Sequence, residues 1–311
     1  MQHHLQSLLA FGLAVGLTFA AHDAPAQDTS RARPAPSADW SAVDQGLGRK
    51  GAQQPDGVMK YSFPRSDLQV TANGVQLKAA LALGGWIAFK RTGGDAMMMG
   101  DLVLTEDEVG PVMRSLQQNG VEQTALHNHV LKESPRVMYM HVYGHGDPVK
   151  LARAVRTALG QSKTPMEAPA ASPSAVIDLD TAAVARTLGA TGKVNGGVFQ
   201  VNVPRRETIR EGGQEVPPSM GVATAINFQP SGGSKAAITG DFVLVAREVN
   251  PVIQALQRNG IEVTALHSHM LDEQPRLFFM HFWANDDAMK LARGLRAALD
   301  RMATKTARTG T

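Results

Sequence analysis

Apolar and polar positions along the chain predict a sheet with helices packed against it. Residues 77–90 and 97–105 are rich in apolar side chains, which predicts two strands, and the Gly-Gly-Asp sequence at 93–95 predicts the turn of a hairpin. Two further strands are predicted at 121–131 and 136–143, on either side of a short polar turn. These segments together indicate a sheet of at least four strands.

Two helices are predicted from the residues that begin and end them. The first follows the second strand, with Pro111 in its first turn and Asn119-Gly120 at its C-terminal end. The second has Asp147 as its N-cap and Pro148 at the first helical position. An apolar stripe on this second helix is formed by Leu151, Ala152, Val155 and Leu159.

The whole pattern occurs twice. Residues 100–159 align without a gap on residues 240–299, and 32 of these 60 positions are identical. In the second copy the first helix has Asn250 as its predicted N-cap and Pro251 at the first helical position. We therefore expect an α+β protein with two homologous β-β-α-β-β-α units, each a ferredoxin-like open sheet with its helices on one face.

The ends of the chain and the segment between the copies differ in composition from the two units. Residues 5–21 are almost wholly apolar and are followed by Ala-Pro-Ala at 24–26, a cleavage pattern typical of a secretory signal peptide. We predict export to the periplasm or the medium, with no stable membrane anchor after cleavage, although association with the cell envelope stays possible. The expected segments are a signal peptide (1–26), a flexible leader (27–37), a first unit (38–160), a Pro/Ala/Ser linker (161–175), a second unit (176–303) and a basic tail (304–311).

Composition narrows the possible chemistry. The chain has no cysteine, which excludes disulfides, thiolate metal ligands, a cysteine nucleophile and a lipid anchor on an N-terminal cysteine. It has 31 Lys and Arg against 28 Asp and Glu, with no dense basic tract, so we expect no binding to nucleic acid. The phosphate-loop, nucleophile-elbow and H-E-x-x-H motifs are all absent.

Among the residues that occur at equivalent positions of both copies, the histidines say most about function. Seven of the ten histidines follow the predicted signal peptide, and six of these match at the 140-residue offset. The six are His127, His129 and His141 in the first unit and His267, His269 and His281 in the second. An H-x-H sequence on a strand places both imidazoles on one face. His141 shares that face if His127 lies opposite His141 or Tyr139, whereas a register shifted by one residue turns it away.

Three imidazoles on one face are the ligand set of open zinc sites, and imidazole also suits copper, iron and nickel. We expect one H-x-H…H site for a divalent metal, zinc or copper, or for a small ligand in each unit. The alternative is that these histidines are buried and hydrogen-bonded in a pseudo-symmetric interface without metal, or act in proton transfer without metal. Nearby side chains that could contact a ligand are Tyr139, Tyr143, Phe279, Trp283, Arg136 and Arg276.

Two other functions remain open from the sequence. A metal-assisted hydrolase acting on an envelope carbohydrate or ester would need a general base, and Glu108 and Glu248, just before the first helix of each unit, are the matched candidates. A structural or interaction protein would instead use the duplication to pack its histidine hairpins across a pseudo-twofold interface.

One known family shares several of these segments. The sequences GDLVLTEDEVGPVM, TALHNH and PRVMYMH resemble the LppY/LpqO-type family of exported bacterial proteins, a domain of unknown function. The resemblance spans most of the chain after residue 37 and implies export and a shared fold. Some relatives are lipoproteins, but this chain lacks the cysteine that would carry lipid. The family implies no reaction and no catalytic residues.

Overall fold

The computed structural model describes residues 39–167 and 177–305. The predicted signal peptide (1–26) and leader (27–37) lie outside the described residues, as do most of the linker predicted at 161–175 and of the tail predicted at 304–311. Within the described residues, no helix combines the length and the apolar character needed to cross a membrane.

Each half of the chain contributes one six-stranded sheet and its own helices. The elements of the first half are α1 (Ser41–Leu47), β1 (Ala52–Gln53), β2 (Met59–Pro64), β3 (Thr71–Ala72), β4 (Val75–Gln76), α2 (Ala79–Ala82), β5 (Gly84–Thr92), β6 (Asp95–Thr105), α3 (Glu106–Gln118), β7 (Glu122–His127), β8 (Glu133–Ser134), β9 (Val137–Gly146) and α4 (Pro148–Leu159).

The second half repeats this order with small differences. Its elements are α5 (Thr181–Leu188), β10 (Gly192–Asn195), β11 (Val198–Pro204), β12 (Ile209–Glu211), β13 (Gln214–Val216), a 3₁₀ helix (Pro218–Met220), β14 (Ala223–Gly232), β15 (Lys235–Leu244), α6 (Ala246–Arg258), β16 (Glu262–His267), β17 (Phe278–Asp287) and α7 (Ala288–Leu299).

The strand order is equivalent in the two large sheets. It is β1-β2-β5-β6-β9-β7 in the first half and β10-β11-β14-β15-β17-β16 in the second, and all neighbouring strands are antiparallel. The protein is therefore a mixed α/β structure with antiparallel sheets and two repeated halves. The finer ferredoxin-like arrangement is not confirmed.

Alternation along the central strand β6 explains how the layers stack. Leu102 and Leu104 point to one face and pack against α1, α3 and α4 in the core of the first half. Met97, Met99 and Val103 point to the opposite face, where they join clusters that contain side chains of the second half. Alternate side chains of β15 point to opposite faces in the same way. The two sheets therefore face each other, and the helices cover their outer faces.

A short helical segment from each half lies against the sheet of the other half. Helix α2 packs against β14 and β15, and the 3₁₀ helix at 218–220 contacts β5. The side-chain amide of Gln200 donates to the carbonyl of Ala80 at 2.9 Å, and the ammonium of Lys60 donates to the carbonyl of Ser219 at 3.0 Å. The halves are thus joined by reciprocal contacts as well as by the apolar faces of their sheets.

Three predicted boundaries are wrong for identifiable reasons. Helix α3 begins at Glu106 and α6 at Ala246, so Pro111 and Pro251 lie inside helices and Asn250 is not an N-cap. The apolar run that begins at residue 77 forms α2 before strand β5, because this segment packs on the other half. The predicted N-cap Asp147 accepts the backbone N–H groups of Val149 and Lys150, and its equivalent Asp287 accepts that of Lys290.

Candidate metal centre

A β-bulge in each half places the histidines on one face of the sheet. In the first half Gln123 lies opposite Val142, whereas Ala125 lies opposite His141, so one strand advances two residues while its partner advances one. After this shift His127 lies opposite Tyr139, on the same face as His141. The second half has the same bulge, and there His267 lies opposite Phe279. Both halves therefore have the strand register in which the three histidines lie on one face of the sheet.

The six histidines form one cluster rather than two separate ones. Because the two sheets face each other, each imidazole of the first half lies against an imidazole of the second. The ring centroids of His127 and His267 are 3.7 Å apart, those of His141 and His269 are 3.6 Å apart, and those of His129 and His281 are 3.9 Å apart. The expectation of one site per unit is thus replaced by a single cluster shared by both halves.

Two aspartates complete the cluster, and the sequence analysis did not include them. Asp101 on β6 pairs directly with His141 on β9, and Asp241 on β15 pairs with His281 on β17. The carboxylate of Asp101 lies 3.8 Å from Nε2 of both His129 and His141. Asp241 lies 3.7 Å from Nε2 of His269. The usable signal was a charged residue repeated at the 140-residue offset in the middle of an apolar strand.

The glycine before each aspartate is explained by the space around it. A Cβ at Gly240 would lie 2.0 Å from the carbonyl oxygen of Ala225, and a Cβ at Gly100 would lie 2.7 Å from the carbonyl oxygen of Trp86. Both distances are shorter than a van der Waals contact. The repeated Gly-Asp pair therefore combines a packing requirement with a carboxylate that faces the other half.

Backbone carbonyls fix which imidazole nitrogen is available in two of the histidines. Nδ1 of His127 donates to the carbonyl of Asn128 at 3.0 Å, and Nδ1 of His281 donates to the carbonyl of Gly240 at 2.8 Å. In each ring this leaves Nε2 with its lone pair free. A backbone acceptor on the second nitrogen is the usual support of a metal-binding imidazole.

Several polar atoms in the cluster are buried without a hydrogen-bond partner among the described residues. Buried polar groups in proteins are nearly always paired, and an unpaired group calls for an explanation such as a bound ion. The unpaired atoms here are Oδ1 of Asp101 and Asp241, Nδ1 of His267, and Nε2 of His127, His129, His141 and His281.

Burial shifts the charge states of these groups toward neutrality. It lowers the pKa of His127 to about 4 and, together with the neighbouring His127, lowers the pKa of His281 to about 3. Burial raises the pKa of the Asp101 carboxyl to about 7, and it raises the pKa of Asp241 well above its ordinary value, with repulsion from Asp101 as a smaller cause. The imidazoles are therefore neutral at physiological pH, which is the state that binds metal.

Two of the four aromatic residues predicted to line the site do so. The ring of Tyr139 stacks on His129 with centroids 3.3 Å apart, and the ring of Phe279 stacks on His269 with centroids 3.6 Å apart. Trp283 is buried in an apolar cluster with Tyr139, and Tyr143 packs against another, and neither makes a ring contact with a histidine among the described residues.

Glu108 and Glu248 do not join the histidine cluster. The carboxylate of Glu108 accepts from Nη1 of Arg65 at 2.6 Å and from the backbone N–H groups of Thr105 and Lys163. Glu248 makes the equivalent pair with Arg205 at 2.7 Å. Since both carboxylates are engaged in buried ion pairs at helix N-termini, the structure gives them a role in holding the fold.

The two arginines predicted as ligand contacts lie on the surface. Arg136 is exposed, and the guanidinium of Arg276 donates to the carbonyl of Leu271 and to the carboxylate of Glu273. Glu273 itself is buried and accepts the backbone N–H of Leu277 at 2.8 Å. This group stabilises the loop before β17 and makes no described contact with the histidines.

The cluster leaves little space for an organic ligand. A cavity of about 10 Å³ lies next to it and is lined by His141, His269, Trp86, Met99 and Met220, among others. That volume corresponds to roughly one water molecule. The arrangement fits an ion and its bound water better than a sugar or an ester.

One subset of the cluster has the spacing of a metal-binding group. His127, His267, His269 and His281 each offer one ring nitrogen, and these four nitrogens lie within 4.8 Å of one another. Three of these residues come from the second half and one comes from the first. We refer to these four residues as the four-histidine group.

The fold and the cluster define a duplicated α/β protein with a buried His/Asp centre between its halves. Residues 41–161 and 182–301 each match the family described as Domain of Unknown Function (DUF1259). These two matches cover more than half of the chain, so the chain belongs to that family and carries its domain twice. The match does not confirm the LppY/LpqO name.

Comparison with other proteins adds no function. No curated protein matches the chain. Among solved structures it is similar to the trimeric bacterial microcompartment shell protein PduB, with 15% identity over 80% of this chain and 90% of that chain and a TM-score of 0.19. It is also similar to EtuB from Clostridium kluyveri, with 8% identity over 80% and 90% of the two chains and a TM-score of 0.19. Such low scores support no statement about fold or function.

Proposed function

We propose that the protein binds a divalent transition-metal ion through the four-histidine group, at a centre to which both halves contribute. The observation that carries this proposal is that four ring nitrogens lie within 4.8 Å of one another. His127, His267 and His281 each also have a buried ring nitrogen without a partner among the described residues, whereas Nε2 of His269 lies 2.8 Å from Nε2 of His267. Leaving such groups without a partner is unfavourable, and a shared cation satisfies several of them at once.

The chemistry of the donors favours zinc or copper. Neutral imidazole suits both ions, and the chain offers no thiolate that would compete. The lowered pKa values keep the rings unprotonated, and the backbone acceptors of His127 and His281 direct Nε2 toward the cluster. No specific observation favours the hydrolase alternative, because Glu108 and Glu248 are engaged in ion pairs and the cavity is small.

Metal counting tests this proposal directly. Full-length protein, stripped with a chelator and then equilibrated with Zn²⁺ at pH 7.5, should retain at least one equivalent after gel filtration, measured by mass spectrometry. Loading should also raise Tm, because a ligand that binds only the folded state stabilises it. His267→Ala should lower the retained zinc by about one equivalent.

His145→Ala is the matched control. His145 is exposed, hydrogen-bonds to Thr92 and has no histidine at the equivalent position of the second half, where Asn285 stands. Its loss should leave metal content unchanged. Retention of less than half an equivalent by the unmodified protein, with a chelator-insensitive Tm, would refute the proposal and favour a metal-free histidine core.

We also propose that the protein acts outside the cytoplasm. The apolar segment at 5–21 and the Ala-Pro-Ala sequence at 24–26 support this location. Mass spectrometry of protein recovered from the expressing cells should find a mature chain that begins near Gln27. An intact N-terminus in the cytoplasmic fraction would contradict export.

A further inference from the structure

We infer that the 3₁₀ helix at 218–220 is a lid over the route by which an ion enters and leaves the histidine cluster. This inference rests on the proposed function, because it concerns how the ion reaches the four-histidine group. The cavity under the helix, the hydrogen bonds that hold the helix and the contrast with the equivalent segment of the first half support it.

The 3₁₀ helix forms one wall of the small cavity beside the histidine cluster. Met220 and the two residues after it line this cavity, as do His141 and His269. Met220 is fully buried, whereas the preceding Ser219 is partly exposed. The helix therefore lies between solvent and the cavity, and the cavity leads to His269, a member of the four-histidine group.

The end of the lid lies flat against a tryptophan of the other half. Trp86 also lines the cavity, and a Cβ at Gly221 would lie 2.9 Å from the Trp86 ring. Gly221 has a φ of 89°, in the left-handed region that favours glycine. Because backbone and ring approach so closely, an ion passes between them only if the helix moves.

Ser219 holds the lid to the first half through hydrogen bonds at all three of its polar groups. Its backbone N–H and its hydroxyl both donate to the carboxylate of Asp56, at 3.0 Å and 2.5 Å. Its carbonyl accepts from the ammonium of Lys60 at 3.0 Å. Asp56 is exposed, and a segment held by exposed hydrogen bonds opens locally at a lower cost than a buried one. The lid can therefore open without unfolding of the sheets.

Helix α2 occupies the equivalent position in the first half and is held more firmly. Its three successive carbonyl groups at 80–82 each accept a side-chain hydrogen bond. The donors, in order, are Gln200, Asn227 and Tyr139. The strand registers make Gln200 the equivalent of Lys60, so the first of these bonds has a counterpart at the lid.

The other two bonds have no counterpart at the lid. Ala88 and Phe279 stand at the positions equivalent to Asn227 and Tyr139, and neither side chain has a hydrogen-bond donor. Among the described side-chain hydrogen bonds, the lid is held to the first half by those of Lys60 and Asp56. Of the two equivalent segments, the 3₁₀ helix is therefore the one that opens more easily.

Release of zinc from the full-length protein tests the lid. Asp56→Ala removes the acceptor of two hydrogen bonds of Ser219, so zinc should leave about tenfold faster than from the unmodified protein. The rate is measured in enough EDTA that more chelator no longer raises it, so that opening limits release. The equilibrium affinity for zinc should stay within about threefold, because a lid that contacts no ion changes entry and exit together.

Gln200→Ala is the matched control. It removes the equivalent bond at α2, which keeps its bonds from Asn227 and Tyr139, so zinc release should stay within about twofold of the original rate. Unchanged release from Asp56→Ala, or equal acceleration in the two variants, overturns the inference and leaves the proposed function intact.

Oxidation by hydrogen peroxide measures opening of the lid without metal. Peroxide converts a methionine thioether to the sulfoxide only where it reaches the sulfur. Met99 and Met220 line the cavity, whereas Met98 is buried in the core under the helices of the first half. In the metal-free protein, Asp56→Ala should speed oxidation of Met220 by about fivefold and leave that of Met98 unchanged, as measured by peptide mass spectrometry.

The two measurements together separate the lid from the metal site. Equal acceleration of oxidation at Met98 and Met220 would indicate general loosening and overturn the inference. If the unmodified protein retains no zinc, the proposed function fails, and faster oxidation confined to the cavity would still support the lid. An unchanged rate at Met220 in that case overturns the lid as well.

Discussion

The two halves of the chain keep the same contacts at their buried glutamates and differ in the walls around their histidines. Arg65 contacts Glu108 and the carbonyl of Val103, and Arg205 contacts Glu248 and the carbonyl of Val243 in the same way. Beside the histidines, by contrast, a tyrosine of the first half corresponds to a phenylalanine of the second. Few residues can replace a buried charged side chain, whereas different aromatic rings can stack on a histidine equally well.

The aromatic difference has a visible cause in the neighbouring segment. The hydroxyl of Tyr139 donates to the carbonyl of Ala82 at the end of α2, at 2.7 Å. The strand registers make Gly221, at the end of the 3₁₀ helix, the equivalent of Ala82, and Phe279 has no hydroxyl to donate there. The halves are therefore equivalent in the positions of their histidines and unequal in the hydrogen bonds that hold the surrounding segments.

Breaking either buried ion pair should have the largest effect on the free energy of unfolding. We expect Glu108→Gln and Glu248→Gln each to lower the free energy of unfolding by about 3 kcal/mol, because each leaves an arginine buried without its main partner. Urea unfolding measures both. Glu106→Gln removes a charge from the exposed side of the same first turn and should cost less than about 1 kcal/mol. Unequal losses of unfolding free energy in the two variants would show that the two ion pairs are not equivalent.

The next largest effect should be that of pH on the stability of the metal-free protein. The folded-state pKa of His127 is about 4, below its ordinary value of about 6.5, so folding favours the neutral ring. The stability it contributes is present above pH 6.5 and is lost as the pH falls toward 4, by about 3 kcal/mol. Asp101, whose pKa is raised to about 7, acts in the opposite direction, but six histidines outnumber two such aspartates.

Urea unfolding between pH 4.5 and 7.5 checks this sign. The free energy of unfolding should rise with pH, and His127→Gln should flatten the curve. His267→Gln should flatten it by a similar amount over this range, because the folded-state pKa of His267, about 2, and that of His127, about 4, both lie below pH 4.5. A curve that keeps its full slope in either variant would contradict the burial of that ring.

The tyrosine-to-phenylalanine difference can be tested by exchange. Tyr139→Phe removes the donor to the Ala82 carbonyl and should lower the free energy of unfolding by about 1 to 2 kcal/mol. Tyr143→Phe is the control, since its hydroxyl makes no hydrogen bond among the described residues. Phe279→Tyr should also destabilise the protein, because its new hydroxyl would enter an apolar wall. Stabilisation by Phe279→Tyr would mean that the second half does offer an acceptor.

The smallest effect is expected at the bulge. Thr264, at the bulge of the second half, donates its hydroxyl to the carbonyl of His129 at 2.5 Å, and the equivalent Thr124 has no such bond among the described residues. Thr264→Val should cost about 1 kcal/mol and Thr124→Val less than half of that. Thermal unfolding of the two variants in parallel would resolve the difference.

Features set by nearby residues could be predicted from the sequence. The Gly-Gly turn between β5 and β6 and the N-caps Asp147 and Asp287 depend on local backbone chemistry, and the structure has them. The repeated histidines could also be selected as a group. Their residue type and the 140-residue offset needed no knowledge of the fold.

Features set by contacts between distant segments could not be predicted. The bulges at 124 and 264 reverse the face on which His127 and His267 lie, and no turn residue marks them. The pairing of histidines across the halves depends on two sheets meeting face to face, which a pattern within one unit does not reveal. Asp101 could not be given a role from the sequence, because that role depends on His141, forty residues away along the chain.

The sharing of one centre between halves 140 residues apart also has a consequence in time. Chains are synthesised at about 5 to 20 residues per second, so the last of the six histidines, His281, is made about 7 to 28 seconds after His141. For that interval the first sheet has its own helices but lacks the surface that covers its inner face. During synthesis the first half therefore exposes the methionines and histidines of its inner face, and the centre forms only when the second half folds against it.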